Sequence, residues 1–197
     1  MSVPIRTARC ETVPDLLDQF HRAAAEADLA KYFGTFHTLS SRFLGTDASE
    51  NWTVEEFYDY SKPHFRAGKA WTYVPRPSSR TIQEHDDRGM IVTFDELLDS
   101  ASFVATTRGT GLAVFDPVLR YWFIAQYHLS FPTPNHLATR ICNVIALSEK
   151  SERMGGTDAE KIAKAEEAAA QLLAELELEE AGGAKGKGAK KKKGGKA

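Results

Sequence analysis

Gln126-Tyr127-His128-Leu129-Ser130-Phe131-Pro132-Thr133-Pro134-Asn135 decides how this chain is read. It closes an extended segment at about 121–131 in which two side-chain sets alternate, so the strand has two faces, and the two prolines stop it. Asn135 then begins a helix through Ile141, Val144, Ile145 and Leu147. Working back from this strand, further extended segments fall at about 103–115, 90–98, 80–84 and 70–74, separated by Gly-, Pro- and Asp-rich breaks. Ahead of them Thr53 and Glu56 form a capping box, with Trp52 placed to staple onto Phe57. Pro63 should end or kink that helix near Lys62. A strand at 42–44 runs into Gly45-Thr46-Asp47. Thr12-Val13-Pro14-Asp15 opens the first helix, with Val13, Leu16, Leu17, Phe20, Ala24 and Ala27 on one face, and Asp28 caps a short continuation through Tyr32 and Phe36. Helices first and antiparallel strands afterwards is an α+β pattern.

The chain has 197 residues, 42% of them hydrophobic, enough for one filled core and an appendage. Its net charge of −2 hides an asymmetry. From Ala181 onward there are seven lysines and no acids, whereas 158–180 holds two lysines against eight acids. Composition shifts at Gly155-Gly156 and Gly182-Gly183. The expected organisation is an N-terminal segment 1–11, an α+β domain 12–150, an acidic Ala/Glu/Leu-rich helix 157–181, and a disordered Lys/Gly-rich tail 182–197. Ile162, Ala165, Ala169, Leu172 and Leu176 form a short seam on that helix, either solvated or used for association. The Lys185–Lys196 region suits an acidic partner, whether a protein tail, nucleic acid or an anionic membrane, and Lys190–Lys193 could direct nuclear import. No signal peptide or spanning run is evident, so a cytoplasmic protein is expected. Cys10 and Cys142 match no metal or redox spacing, the six histidines are unpaired in sequence, and Gly109-Thr110-Gly111 lies inside a strand, so no cofactor or metal is expected.

Six strings recur in order: Phe43-Leu44-Gly45-Thr46-Asp47, Glu50-Asn51-Trp52-Thr53, Lys69-Ala70-Trp71-Thr72-Tyr73, Phe94-Asp95-Glu96-Leu97-Leu98, Arg108-Gly109-Thr110-Gly111, and the 126–135 run. Together they resemble the SnoaL-like branch of the nuclear transport factor two (NTF2)-like superfamily, over about 12–147. The resemblance implies a cone-shaped curved antiparallel sheet covered by N-terminal helices, a ligand pocket on its concave side, and a homodimer. It does not imply one reaction, because such domains include isomerases, dehydratases, polyketide cyclases and non-catalytic dimerisation modules. Some relatives hydrate carbon dioxide, but the paired histidines expected near the end of the last strand are Tyr127-His128 here, which counts against that activity. Bacterial relatives generally end soon after the helix that follows Pro134-Asn135, so the sequence from Gly155 onward is an addition.

Strand alternation locates a candidate site. A hairpin centred on Val118 pairs Val114 with Trp122, Leu112 with Ile124, Thr110 with Gln126 and Arg108 with His128. A turn near 100–101 sets Glu96 across from Thr106 on the same face, and a one-residue slip would present Asp95 instead. The expected pocket face therefore has a polar end (Glu96, Arg108, Gln126, His128) and an apolar end (Leu112, Val114, Trp122, Ile124). Arg108, partnered by Glu96, could hold a small anionic or carbonyl-containing ligand. His128 and Glu96 are the candidate acid–base residues for a cofactor-independent isomerisation, dehydration or cyclisation. The same residues could equally form a network that only fixes register. Trp71 and Tyr73, with Trp52, could stack a ligand or simply fill the core. Phe123, Tyr127 and Leu129 alternate with the pocket set, which would put apolar surface on the outer side of the sheet and favour a homodimer there.

Overall fold

The computed structural model describes residues 3–101 and 103–153, with Ala163, Glu167 and Ala170 beyond them. Apart from those three residues, the expected acidic helix and basic tail lie outside the described residues. The chain divides into two units, 1–132 and 133–197.

In the first unit the caps set the helices. The Thr12 hydroxyl accepts the Asp15 N–H at 3.2 Å and starts α1 (Val13–Ala25), which buries Leu16, Leu17, Phe20, His21 and Ala24. Asp28 caps α2 (Leu29–Gly34) by accepting the Lys31 N–H at 3.0 Å, and Tyr32, Phe33 and Phe36 are fully buried. Strands β1 (Arg42–Leu44) and β2 (Asn51–Thr53) lead into α3 (Val54–Arg66). Its capping box is reciprocal: Thr53 Oγ1 accepts from Glu56 N–H at 3.2 Å, and Glu56 Oε2 accepts from Thr53 N–H at 2.7 Å. Trp52 stacks on Phe57 with centroids 5.6 Å apart. Pro63 does not end this helix, which continues to Arg66. The last turn holds because Phe65 is buried against Tyr32 and Trp71, at 5.2 and 5.4 Å between ring centroids.

Strands β3 (Tyr73–Pro75), β4 (Thr81–Glu84), β5 (Ile91–Ser100), β6 (Thr107–Asp116) and β7 (Tyr121–Ser130) complete a sheet ordered β2-β1-β7-β6-β5-β3, with β4 also on β5. The fold is α+β, but the sheet is mixed rather than wholly antiparallel, because β1 runs parallel to β7 with Phe43 beside Tyr127. The N-terminal segment packs into the core: Ala8 and Cys10 are buried, and the Cys10 carbonyl accepts the Trp122 N–H at 2.9 Å.

The register differs from the expected one in two places. Glu96 lies opposite Gly109, and Leu97 opposite Arg108. The offset from the expected pairing is three residues, an odd number, so Glu96 and Arg108 stand on opposite faces. Between β6 and β7 the pairing is Thr110 with His128 and Leu112 with Gln126, then shifts after Leu112 so that Ala113 meets Ile124 and Phe115 meets Trp122. That bulge carries Trp122 and Ile124 off the face shared by Arg108, Thr110, Leu112, Gln126 and His128. The helices cover the opposite face from the one expected. Phe20 packs on Tyr127 at 4.6 Å, and Phe94, Glu96, Tyr127 and Leu129 are buried beneath. Gly109 and Gly111 give this inner face its depth, since a Cβ at either would strike the Tyr127 hydroxyl or the Phe94 ring.

In the second unit a 3-10 turn (Asn135–Leu137) leads into α4 (Ala138–Arg153). Among the described residues no helix is long and apolar enough to cross a membrane.

Candidate functional site

Aromatic residues gather where β1, β2, α3 and β3 converge. Phe43 on β1 pairs with Trp52 on β2 and stacks on Phe57 at 3.8 Å between centroids. One turn further along α3, Tyr60 stacks on Trp52 at 4.7 Å, while Trp71, just before β3, stacks on Phe57 at 5.7 Å. These rings, with Tyr73, Phe103 and Leu129, enclose a half-open cavity of ≈ 190 Å³ whose remaining wall is Gly45, Thr46 and Glu50.

Among the described residues Glu50 is the one carboxylate of that wall, and no Lys, Arg or His belongs to it. Local structure fixes its position. The Gly45 N–H donates to the Glu50 carbonyl at 2.8 Å, and Glu50 Oε2 accepts the Asp47 N–H at 3.2 Å. The side chain folds across Gly45, where a Cβ would come within 2.8 Å of its Cδ, so a side chain at residue 45 would displace the carboxylate. Burial, and then the negative charge of Glu50, push the Tyr73 hydroxyl up to about 12, so it is a hydrogen-bond donor at neutral pH.

A second polar cluster lies beneath α1, buried at Glu96 and His21 and open to solvent at Arg80 and Asp18. Glu96 is wholly buried, with Oε1 2.5 Å from His21 Nε2 and Oε2 2.9 and 2.8 Å from Arg80 Nε and Nη2. Arg80 Nη1 also reaches Asp18 at 2.8 Å. Burial pushes the Glu96 carboxyl up, but His21 and Arg80 outweigh it and hold it below the usual carboxylate range. The neighbouring Tyr127 hydroxyl is buried without a hydrogen-bond partner among the described residues. Burial, followed by the fields of Glu96, Tyr32 and Tyr73, raises it well above a normal tyrosine.

The residues expected to converge are therefore divided among three places. Glu96 is at the buried end of the cluster beneath α1. Arg108 and Gln126 are exposed on the outer face, where Arg108 Nε lies 3.5 Å from Asp95 Oδ2, the partner that a register slip presents. His128 shares that face and borders a shallow depression beside Gly45–Asn51. Trp122 packs against Phe115 at 5.5 Å, away from the cavity. Of the expected residues, Trp71 and Tyr73, with Trp52, line it. Phe123, Tyr127 and Leu129, expected on the outer side, are buried, which removes the apolar outer patch on which a dimer was argued. Sequence reasoning missed three residues. His21 could have been found, since it falls on the buried stripe with Leu17, Phe20 and Ala24 at helical spacing. Arg80, after Pro77-Ser78-Ser79, follows no periodic pattern, and Glu50 reads as an ordinary loop acid. Among the described residues no group of three His, Cys, Asp or Glu could hold a metal ion.

The sequence profile of the SnoaL-like domain matches residues 13–134. The chain belongs to the SnoaL-like domain family. This SnoaL-like domain is similar in structure to an NTF2-like protein of unknown function from Pseudomonas putida, at 9% identity and a TM-score of 0.49, covering 62% of this chain and 86% of that one. A putative calcium/calmodulin-dependent protein kinase type II association domain from Thiobacillus denitrificans gives 12% identity and a TM-score of 0.48, with 64% and 99% covered. A protein of unknown function from Pectobacterium atrosepticum gives 16% and 0.47, with 61% and 88% covered. No curated protein matches the sequence.

Proposed function

We propose that this SnoaL-like domain binds a small, largely apolar molecule in the cavity between β1, β2, α3 and β3, without acting on it chemically. One observation carries the reading: seven aromatic side chains line a half-open space of ≈ 190 Å³, with Glu50, Thr46 and Tyr73 as its polar points. A dry apolar cavity of about 150 Å³ already accepts benzene, so a single-ring compound is the right size, and drug-sized ligands are not. The catalytic alternative, acid–base chemistry by Glu96 and His128, is less well supported. These two side chains stand on opposite faces of the sheet, and Glu96 is wholly buried. A basic tail of seven lysines adds a separate proposal, that Lys185–Lys196 recruits an acidic partner, and a homodimer stands as a proposal beside it.

Tryptophan fluorescence tests the main reading, because Trp52 and Trp71 are in the wall. Titration with benzyl alcohol should quench them saturably, and Trp71→Ala should weaken that binding by tenfold or more. Quenching that is linear and unsaturated in both proteins would retire the cavity as a binding site.

A further inference from the structure

The charge of the cavity wall narrows the ligand class. An anion would enter beside the Glu50 carboxylate with no Lys, Arg or His in the wall to offset the repulsion. The cation expected to hold an anion, Arg108, is exposed on the outer face and spends its charge on Asp95. His128 borders the depression on the other side of the 45–51 loop, which Glu50 also lines, but neither it nor any Lys or Arg makes an ion pair with Glu50 among the described residues. A neutral ligand would fill the space but leave a half-buried carboxylate facing it without a counter-charge.

Two features make a cation the complement. The first is that the carboxylate is held in place: the Asp47 N–H and the bare Cα of Gly45 fix it over the turn that follows β1, as a positioned acceptor rather than a mobile rim charge. The second is the wall itself. Apart from Glu50, Thr46 and Tyr73 it is apolar, so a positive charge placed beside the carboxylate is screened less than in bulk water and is attracted more strongly. The Tyr73 hydroxyl lies within the field of Glu50 and remains protonated at neutral pH, so it adds a donor and no second negative charge.

We propose, building on the small-molecule reading above, that the cavity selects small organic cations. Their ammonium group is held by the Glu50 carboxylate and their apolar or aryl body by Trp52, Phe57 and Trp71.

The test uses the full chain and three probes of one size: benzylammonium, benzyl alcohol and benzoate, at pH 7 and about 0.15 M salt. Benzylammonium should bind about tenfold or more tightly than benzyl alcohol, as one charge-assisted hydrogen bond in a partly dry site supplies, and benzoate should bind weakest. Glu50→Gln should bring benzylammonium down to the level of the alcohol while leaving the alcohol within about twofold. The wild-type protein gives a check that does not depend on the variant folding: raising salt to about 1 M should weaken benzylammonium and spare benzyl alcohol. Equal affinity for benzylammonium and benzyl alcohol in the wild type overturns the cation assignment and leaves the cavity reading intact. A preference for benzoate does the same. Failure of all three probes to bind overturns both.

Discussion

Arg80→Ala is the perturbation that most sharply tests which face of the sheet is inside. Arg80 makes two contacts to Glu96, at 2.9 and 2.8 Å, and its side chain is 18% exposed while that of Glu96 is 0% exposed. Removing one partner of a buried ion pair strands the other charge and costs about 3–5 kcal/mol. His21 still touches Glu96, and Arg80 is partly wet, so the lower end applies, about 3 kcal/mol. With a urea slope of about 1.5–2 kcal/mol per molar, the unfolding midpoint should fall by about 1.5–2 M. Arg108→Ala is the internal control. Its pair with Asp95 is 45% and 40% exposed at 3.5 Å, so its loss should cost under about 1 kcal/mol and move the midpoint by less than about 0.7 M. Urea titrations followed by far-ultraviolet circular dichroism measure both. The reasoning fails if Arg108→Ala falls as far as Arg80→Ala, because that is the outcome of the register in which Arg108 and Glu96 are buried partners.

Three further outcomes are expected. Gly109→Ala should destabilise by about 2–3 kcal/mol, as overpacking does, because a Cβ there strikes the Tyr127 hydroxyl and comes within 2.9 Å of its Cζ. Adding Tyr127→Phe should recover only part of the loss, which a double-mutant cycle in urea reads directly. Tyr127→Phe alone should be neutral or stabilising by up to about 1 kcal/mol, since the hydroxyl it removes is buried and unpartnered; a loss above 1 kcal/mol in the same titration counts against that geometry. Glu96 ionises below the ordinary carboxylate value of 4.5, so its stabilisation is complete above that value and is lost as pH falls through the lower folded value. The urea midpoint of the wild type should therefore drop below pH 4.5 more steeply than that of Glu96→Gln, and parallel curves would show that Glu96 is not the linked group.

The local elements were legible in the sequence because their signals are local. Thr12, Asp28 and Thr53 act as caps where their hydroxyl or carboxylate meets the right spacing, and Trp52 staples Phe57 as the cap geometry requires. Register was not legible, for an identifiable reason. Residues 103–106, Phe-Val-Ala-Thr, have strand-like side chains yet belong to the connection before β6, which begins at Thr107. Treating them as strand displaces the pairing by three residues and turns Glu96 to the wrong side. The shift after Leu112 has no marker either, since the residue left over on β7 is an ordinary alanine, Ala125. Hydrophobicity alone favoured the correct inner face, because Tyr127 and Leu129 are more apolar than Gln126 and His128. The cavity was half visible: Trp71 and Tyr73 are conspicuous as aromatic residues near a strand, but nothing in a Gly45–Glu50 turn shows that its carboxylate will fold back over a glycine.

Phe103, in the connection ahead of β6, borders the cavity and packs edge-on against Phe131 at 5.0 Å, beyond the last strand. Phe43 and Phe57, deeper in the same wall, also hold β1 and α3 together, so their replacement would unsettle the scaffold. The two ends of the cavity are thus under different constraints. A substitution at Phe103 would therefore change the mouth of the cavity while leaving the Phe43–Phe57 packing that joins β1 to α3 in place, so the shape of the opening can vary independently of the scaffold.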